Sequence, residues 1–524
     1  MTTPTLNFQS TARHMARVAV VLCGCLLVVV AGALLIERWR GQNALQAWRE
    51  QRAAQGESLE LAAFWPKPDE RVRLNSSDLS QAMRQLPAEL TAFSGRISAI
   101  VPDEPGRARR GSREPRPIRK GTNTWAQFDT AINNASVELE HLRQLMKQAP
   151  TSLGDDVLNR MDAIPNFFRA RSGAQTLHAA VIHDLHRGNL NGALKNLVAL
   201  SAAVRLYADE PTLMTCTIRG AILGLSIDAH WDALQTRGWT ENQLAELQQA
   251  ALDPRMLAQM PRVVQAERAA RLSAWEWFRS HSHDAWLDRY ADLYKGFGMK
   301  LPGSRTSLLL RQWQQWGFHP IWKFAWADQE ELEYLEYSQA ELAATRDAVT
   351  LQSWSHLDER LKAIERDYRP PAARWRFHGG LPLYDDIVAI MGSSPLPEPV
   401  GPHPGHRRAW QVIFKNLTLH QLVITAIALK RHELRYGKHS ATLDALVPEF
   451  LPSLPRDFMN GQTLRYRLNH DGSFLLYSVG DDTHDDGGDA SPKNTQRADP
   501  GSVWSGRDWV WPQRSDPNQS AGLR

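Results

Sequence analysis

At 524 residues, with 43% apolar and 23% charged residues, the chain is long enough for two or more domains and has the balance of a protein most of which folds. Its formal net charge is +4, yet Pro105 to Gly121 carries Arg107, Arg109, Arg110, Arg113, Arg116, Arg119 and Lys120 against Glu114 alone, and without that segment the charge is −2. Three cysteines exclude a disulfide framework and zinc sites built on thiolates.

The N-terminal tail, residues 1–16, leads into Val18 to Ile36, nineteen residues without a charge. At about 1.5 Å per residue this run nearly spans a hydrocarbon core of about 30 Å, so a transmembrane helix is expected over residues 17–37. Arg13, His14 and Arg17 precede it, and Arg38 and Arg40 follow, a near tie by the positive-inside rule. The expected orientation is a short tail inside and the bulk of the chain outside the cytoplasmic membrane. Ala31-Gly32-Ala33 is an alternative signal-peptidase site and Leu22-Cys23-Gly24-Cys25 a faint lipoprotein box, but apolar residues continue past both.

Residues 38–101 read as a membrane-proximal helical segment, with helices over Gly41 to Gly56 and Ser77 to Phe93. The Pro/Arg-rich stretch 102–122 cannot bury enough apolar surface to offset its ordering entropy and reads as a linker. A tether for RNA or anionic lipid is the functional alternative to a solvated loop; the lack of an aromatic platform argues against nucleic acid.

Residues 123–391 read as an irregular α-helical domain. Leu177, Ala180, Val181, Asp184 and Leu185 recur at helical spacing, as do Ala193, Leu194, Leu197, Leu200, Val204 and Tyr207, and His186 to Asn189 breaks the pattern between them, predicting a helical hairpin. Further helices are predicted over Pro211 to Thr236, Thr240 to Leu252, Met256 to Tyr294 and Asp328 to Asp347. The 19 tryptophans are expected mainly to fill gaps between helices. The proline-rich stretch 392–408 reads as a second linker.

A module over 409–514 follows, with a tail over 515–524. It starts with a helix from Trp410 to Leu434 whose apolar run is interrupted by Lys415, Asn416, His420 and Gln421, so a buried helix is expected and not a second span. The short helix TLDALVPEFL comes next, then strands LRYRL and SFLLYSV around an Asn469 to Gly472 turn, a hairpin signal. The fold expected is mainly α, with an N-terminal transmembrane helix, an irregular α-helical domain and a small C-terminal α+β module with an antiparallel hairpin.

The order and residues of this module, Tyr436, Leu443, Leu446, Val447, Leu451, Leu454, Pro455, Asp457, Gly461, Leu464, Tyr466, Ser478, Gly480 and Asp482, resemble the globular part of the major pseudopilins of type II secretion systems. The likeness covers roughly the last hundred residues. It implies an acidic loop holding a structural calcium ion, with Asp482, Asp485, Asp486 and Asp489 as ligands. The chain departs from that family at its start, where ARHMARVAVVL has neither the Gly-Phe cleavage junction nor the glutamate just inside the helix, so a pilus subunit is not implied. The whole chain is also similar to large uncharacterised membrane-anchored proteins of Verrucomicrobia-type and Planctomycetes-type bacteria, a likeness that implies no function.

The physical chemistry of YSVGDDTHDDGGDA leaves two readings open. Calcium takes six to eight oxygens, and a glycine-rich turn with several carboxylates can supply them. An EF-hand fails because Lys493 stands where the bidentate acid is required, and the alternative to a calcium loop is a solvated acidic turn. His178, His183, Asp184 and His186 form no HExxH spacing, and His281 with His283 is no stronger. Glu330, Glu331, Glu333 and Glu336 read as a solvated helix face. No GxSxG elbow, P-loop or dinucleotide fingerprint occurs.

The function expected is therefore a membrane-anchored extracytoplasmic protein acting through protein partners, as a structural or interaction component of the cell envelope or of a secretion-type assembly. The alternative is a membrane-bound enzyme using His183, Asp184 and Glu331.

Overall fold

The computed structural model of the chain describes residues 8–64, 70–87, 90, 125–148, 151–152, 164–251, 255–281, 285, 319–368, 404–491, 504 and 506–511. The basic stretch 102–122, most of the linker 392–408 and His283 lie outside these residues.

Thirteen α-helices and a small antiparallel sheet account for most of what is described. The helices are α1 (Phe8–Ala54), α2 (Glu70–Gln85), α3 (Trp125–Asn134), α4 (Ser136–Lys147), α5 (Ile164–His186), α6 (Leu190–Ala203), α7 (Leu213–Gln235), α8 (Glu241–Ala250), α9 (Met260–Ser280), α10 (His319–Ala325), α11 (Ala327–Leu351), α12 (Trp354–Tyr368) and α13 (Pro404–Tyr436). The strands are β1 (Arg456–Asp457), β2 (Gln462–Thr463), β3 (Arg465–Leu468), β4 (Phe474–Ser478) and β5 (Trp509–Val510). The chain divides into two compact units: Met1–Glu60, Arg268–Ala340 and Ile364–Pro402 in the first, and Leu61–Glu267, Glu341–Ala363 and His403–Arg524 in the second.

In the first unit α1 is one unbroken helix, and no part of its most apolar window is covered by protein. A helix this long and apolar can span a membrane. Beyond the apolar run, Leu45 and Trp48 are buried with Leu335 of α11, and Leu59, Leu272 and Leu332 pack against them. The same helix thus carries a lipid-compatible half and a half that belongs to a protein core. Polar ties reinforce the join: Gln329 Nε2 donates to the Glu37 carbonyl at 3.0 Å and to its carboxylate at 2.7 Å, and Arg268 pairs with Glu57 at 3.1 Å.

The second unit is helix on helix. α5 and α6 form the hairpin that the periodicity predicts, because Gly188 takes φ +71° and Asn189 caps α6 by accepting from the Gly192 N–H at 3.0 Å. α6 ends at Ala203, short of the predicted Tyr207, which adopts φ +57° with its side chain buried. Thr212 caps α7, and Thr240 with Gln243 forms a capping box on α8. Phe128, Ile132, Ala135 and Leu139 pack with Leu90, Ala179, Ala180 and Ile182 in one apolar cluster.

α13 starts six residues before the predicted Trp410 and runs along α7, with 83% of its apolar window buried. Asn416 on α13 donates to the Gly220 carbonyl of α7 at 2.8 Å, so the polar interruptions of its apolar run meet protein groups. Trp231, Trp239, Trp354, Trp410 and Trp509 are all buried, as the core-filling expectation requires. β3 and β4 pair from Arg465↔Tyr477 to Leu468↔Phe474 around the Asn469–Gly472 turn, where Gly472 takes φ +84°. Two pieces are absent from the sequence reading: the β1–β2 ribbon, and β5, which adds to β4 through Ser478↔Trp509. The segment TLDALVPEFL forms a 3-10 turn over Asp444–Leu446 in place of a longer helix.

Candidate functional site

The acidic turn hangs from the end of β4, and its geometry begins with Asp457 of β1, whose side chain is fully buried. Its Oδ1 accepts from the Ser478 hydroxyl at 2.9 Å and from the Met459 N–H at 3.1 Å; its Oδ2 accepts from the Val479 N–H at 3.0 Å and from Arg465 Nη1 at 3.4 Å. Burial pushes this carboxyl above the usual range, and the four donors oppose that shift. One carboxylate therefore fastens the β1–β2 ribbon to the end of β4.

Just beyond, Gly480 takes φ +67°, and a Cβ there would meet the Arg507 carbonyl at 2.2 Å. The chain reverses through this point because only glycine fits. Thr483 follows with φ +60°, an uncommon conformation for a β-branched residue.

The four predicted ligands are each engaged within the module. Asp482 Oδ1 accepts from the His484 N–H at 3.1 Å, and Asp482 has further interactions. Asp485 accepts from the Tyr477 hydroxyl at 3.1 Å, the Gly487 N–H at 3.0 Å and Arg465 Nε at 3.2 Å. Burial raises its pKa, but these three donors together hold it below the usual carboxylate value. Asp489 accepts from Ser491 N–H and Oγ at 2.9 and 2.8 Å, which lowers its pKa, and Arg507 lies 3.8 Å away. Arg507 is also 3.6 Å from Asp486, so these two predicted ligands share one guanidinium. Among the described residues no three His, Cys, Asp or Glu side chains are grouped so as to hold a metal ion. In this arrangement Arg465 and Arg507 supply the counter-charge that calcium would supply.

Asp508, missed by the sequence reading, organises the turn from behind. It is buried, and it accepts from the N–H groups of Asp486, Gly488 and Asp489 at 3.4, 2.6 and 3.2 Å. Burial pushes its pKa up against these bonds. The signal available was an aspartate within the tryptophan-rich string WSGRDWVW.

In the helical part of the same unit, His183 Nε2 lies 2.7 Å from Asp129 Oδ1, and Arg187 grips Asp129 through two bonds of 3.1 and 3.0 Å. His183 Nδ1 faces Asp184 Oδ1 at 3.9 Å, and Trp125 stacks on the ring at 5.9 Å. Burial disfavours the charged imidazole, yet Asp184 and Asp129 outweigh it, so the pKa rises. Both ring nitrogens face carboxylates, an arrangement that clamps an imidazolium. His178 is buried, and His186 meets Trp125 edge-on at 4.6 Å. His281 stacks on Trp277 at 4.2 Å.

Glu331 belongs to the first unit while His183 and Asp184 belong to the second, so the three residues of the enzyme reading fall in different units. The solvated glutamate face is corrected for two of its members: Glu330 and Glu331 are buried, and Glu331 pairs with Arg49 and with Arg279 at 2.9 Å. Charge repeats along one helix do not reveal arginines arriving from α1 and α9.

Compared with protein-family models, curated proteins and solved structures, the chain matches none.

Proposed function

We propose that the protein is a single-pass, membrane-anchored component of the cell envelope that works through protein contacts, with its folded bulk outside the cytoplasmic membrane. The observation that carries this reading is the uncovered apolar half of α1, continuous through Glu37 into a helix whose next turns are core. The interaction reading is supported by how the polar groups are used. The carboxylates of the acidic turn and Nε2 of His183 are taken up by neighbouring side chains and N–H groups, which suits fastening more than turnover.

A secretion-type role for the C-terminal module rests on its resemblance to the major pseudopilins. Within that resemblance Asp457, Ser478 and Gly480 work as one joint beneath the acidic turn. A structural calcium ion at Asp482, Asp485, Asp486 and Asp489 is a further proposal, which requires Arg465 and Arg507 to give way to the ion. Thermal melts of the full chain in EDTA and then in calcium or magnesium test it. A calcium-specific rise that Asp485→Ala abolishes supports the ion, and identical melts assign the turn to its own arginines.

Alkaline carbonate extraction of membranes expressing the full chain tests the anchor: the protein is expected in the pellet, and release into the supernatant overturns it. A photo-cross-linking residue at the exposed Leu468 tests the contact role. A discrete protein adduct in membranes is expected; no adduct, together with a turnover lost in His183→Ala, would favour the enzyme.

A further inference from the structure

Within the first unit, α10 packs beside α1, and the guanidinium of Arg38 lies 4.9 Å over the ring of Phe324. Arg38 is two residues past Ile36, the last residue of the uncharged run, so its backbone lies about 3 Å beyond the end of that run along the helix axis, and Phe324 meets its side chain. The start of α11 meets α1 at the same level, where Gln329 bonds Glu37 and would be touched by a Cβ on Gly41. Among the described residues, α10 and the start of α11 are thus both held against α1 at the end of its apolar half.

The exposure pattern of α10 is unusual for a helix held against protein. Ala325 is buried, while Ile321 and Phe324, three residues apart and so on one helical face, are 42% and 39% exposed. Trp39 of α1, at the same level, is 66% exposed. Large apolar side chains left bare beside arginine, directly at the end of a membrane-spanning run, are what the headgroup boundary selects: apolar bodies enter the acyl edge while guanidinium groups meet lipid phosphates.

We infer that α10 is an in-plane membrane contact, with Ile321, Phe324 and Trp39 inserted at the headgroup boundary of the bilayer that α1 spans. The occupant of this face is lipid because Phe324 meets Arg38, two residues beyond the uncovered apolar run of α1. This inference rests on the reading of α1 as a membrane span. Its consequence is that the first unit is held against the bilayer surface at two points, which limits how far it tilts about the anchor.

The experiment uses the full chain with Cys23, Cys25 and Cys216 replaced by alanine, reconstituted into phosphatidylcholine and phosphatidylglycerol vesicles. Nitroxide labels are placed singly by Ile321→Cys, Phe324→Cys, Val28→Cys and Val137→Cys, and collisions with oxygen and with a water-soluble nickel chelate are measured. Labels at 321 and 324 are expected to collide with the chelate several-fold less than the label at 137, which is exposed on α4, and to lie shallower than the label at 28. Chelate access at 321 and 324 equal to that at 137, with 28 in hydrocarbon, overturns the inference and leaves the anchor standing. Low access to both reagents at 321 and 324 means that protein covers the face, and also overturns it. Chelate access at 28 overturns the anchor and the inference with it.

Discussion

The hydroxyl of Ser478 donates to Asp457 Oδ1 at 2.9 Å, both side chains fully buried and 21 residues apart in sequence. The bond joins the ribbon before the hairpin to the end of the hairpin's second strand. Removing one partner leaves the other unsatisfied in the core. Asp457→Ala would strand the Met459 and Val479 N–H groups and is expected to destabilise the second unit by about 3 kcal/mol, against about 1 kcal/mol for Ser478→Ala. Urea unfolding of the full chain in detergent measures both, and equal small effects would overturn this assignment.

Two glycines with similar backbones are expected to respond differently. Gly472 takes φ +84° with open space around it, so Gly472→Ala carries only the left-handed penalty of about 1–2 kcal/mol. Gly480→Ala adds the clash with the Arg507 carbonyl and is expected to cost clearly more, about 3 kcal/mol, while loosening β5. Hydrogen exchange at Trp509 and Val510 reports the second effect. Equal melting temperatures for the two variants would count against it.

His230 of α7 makes stability sensitive to acid. It is buried, its Nδ1 bonds the Ser226 carbonyl at 2.6 Å, and burial, aided by the charge of His420, pushes its pKa down to about 4. The folded value lies below the unfolded value of about 6.5, so protons favour the unfolded chain. Stability is full above pH 6.5 and falls as pH drops towards 4, by about 3 kcal/mol for this group. In a series of melts from pH 7 to 4, His230→Leu is expected to flatten the slope, and an unchanged slope rejects the assignment.

His183 has the opposite sign. Its pKa is raised in the fold, so its contribution is complete below the unfolded value of about 6.5 and is lost as pH climbs through the folded one. Asp129 is depressed, chiefly by the His183 hydrogen bond, so its share is present above about 3.8 and is lost as pH falls through its folded value. The pair therefore stabilises most between those limits. Asp129→Asn is expected to lower the melting temperature near pH 6 and to shrink the fall as pH rises above 6.5. Imidazole chemical shifts of His183 would report its pKa directly, and a value at or below 6.5 would sink the clamp.

Short-range features of the fold were legible without coordinates. The nineteen uncharged residues of α1, the Gly188-Asn189 break, the helix starting at Thr240 and the Asp471-Gly472 turn each depend on contacts within a few residues, and each appears where its local chemistry places it. The buried character of α13 was also legible, since Asn416 and His420 inside an apolar run require protein partners.

What only the tertiary structure decided are the partnerships between distant residues. Asp129 reaches His183 from 54 positions away, Asp457 collects Ser478 and Val479 across the hairpin, Asp508 gathers three N–H groups of the acidic turn, and Glu331 is neutralised by arginines from α1 and α9. An aspartate in sequence is a charge with no stated environment. Whether it binds a cation, is solvated or fastens a strand depends on which donors the fold brings within about 3 Å, and that distance is set by packing and not by local periodicity. The long apolar helix was written in composition; the neighbours of the carboxylates were fixed only when the chain closed around them.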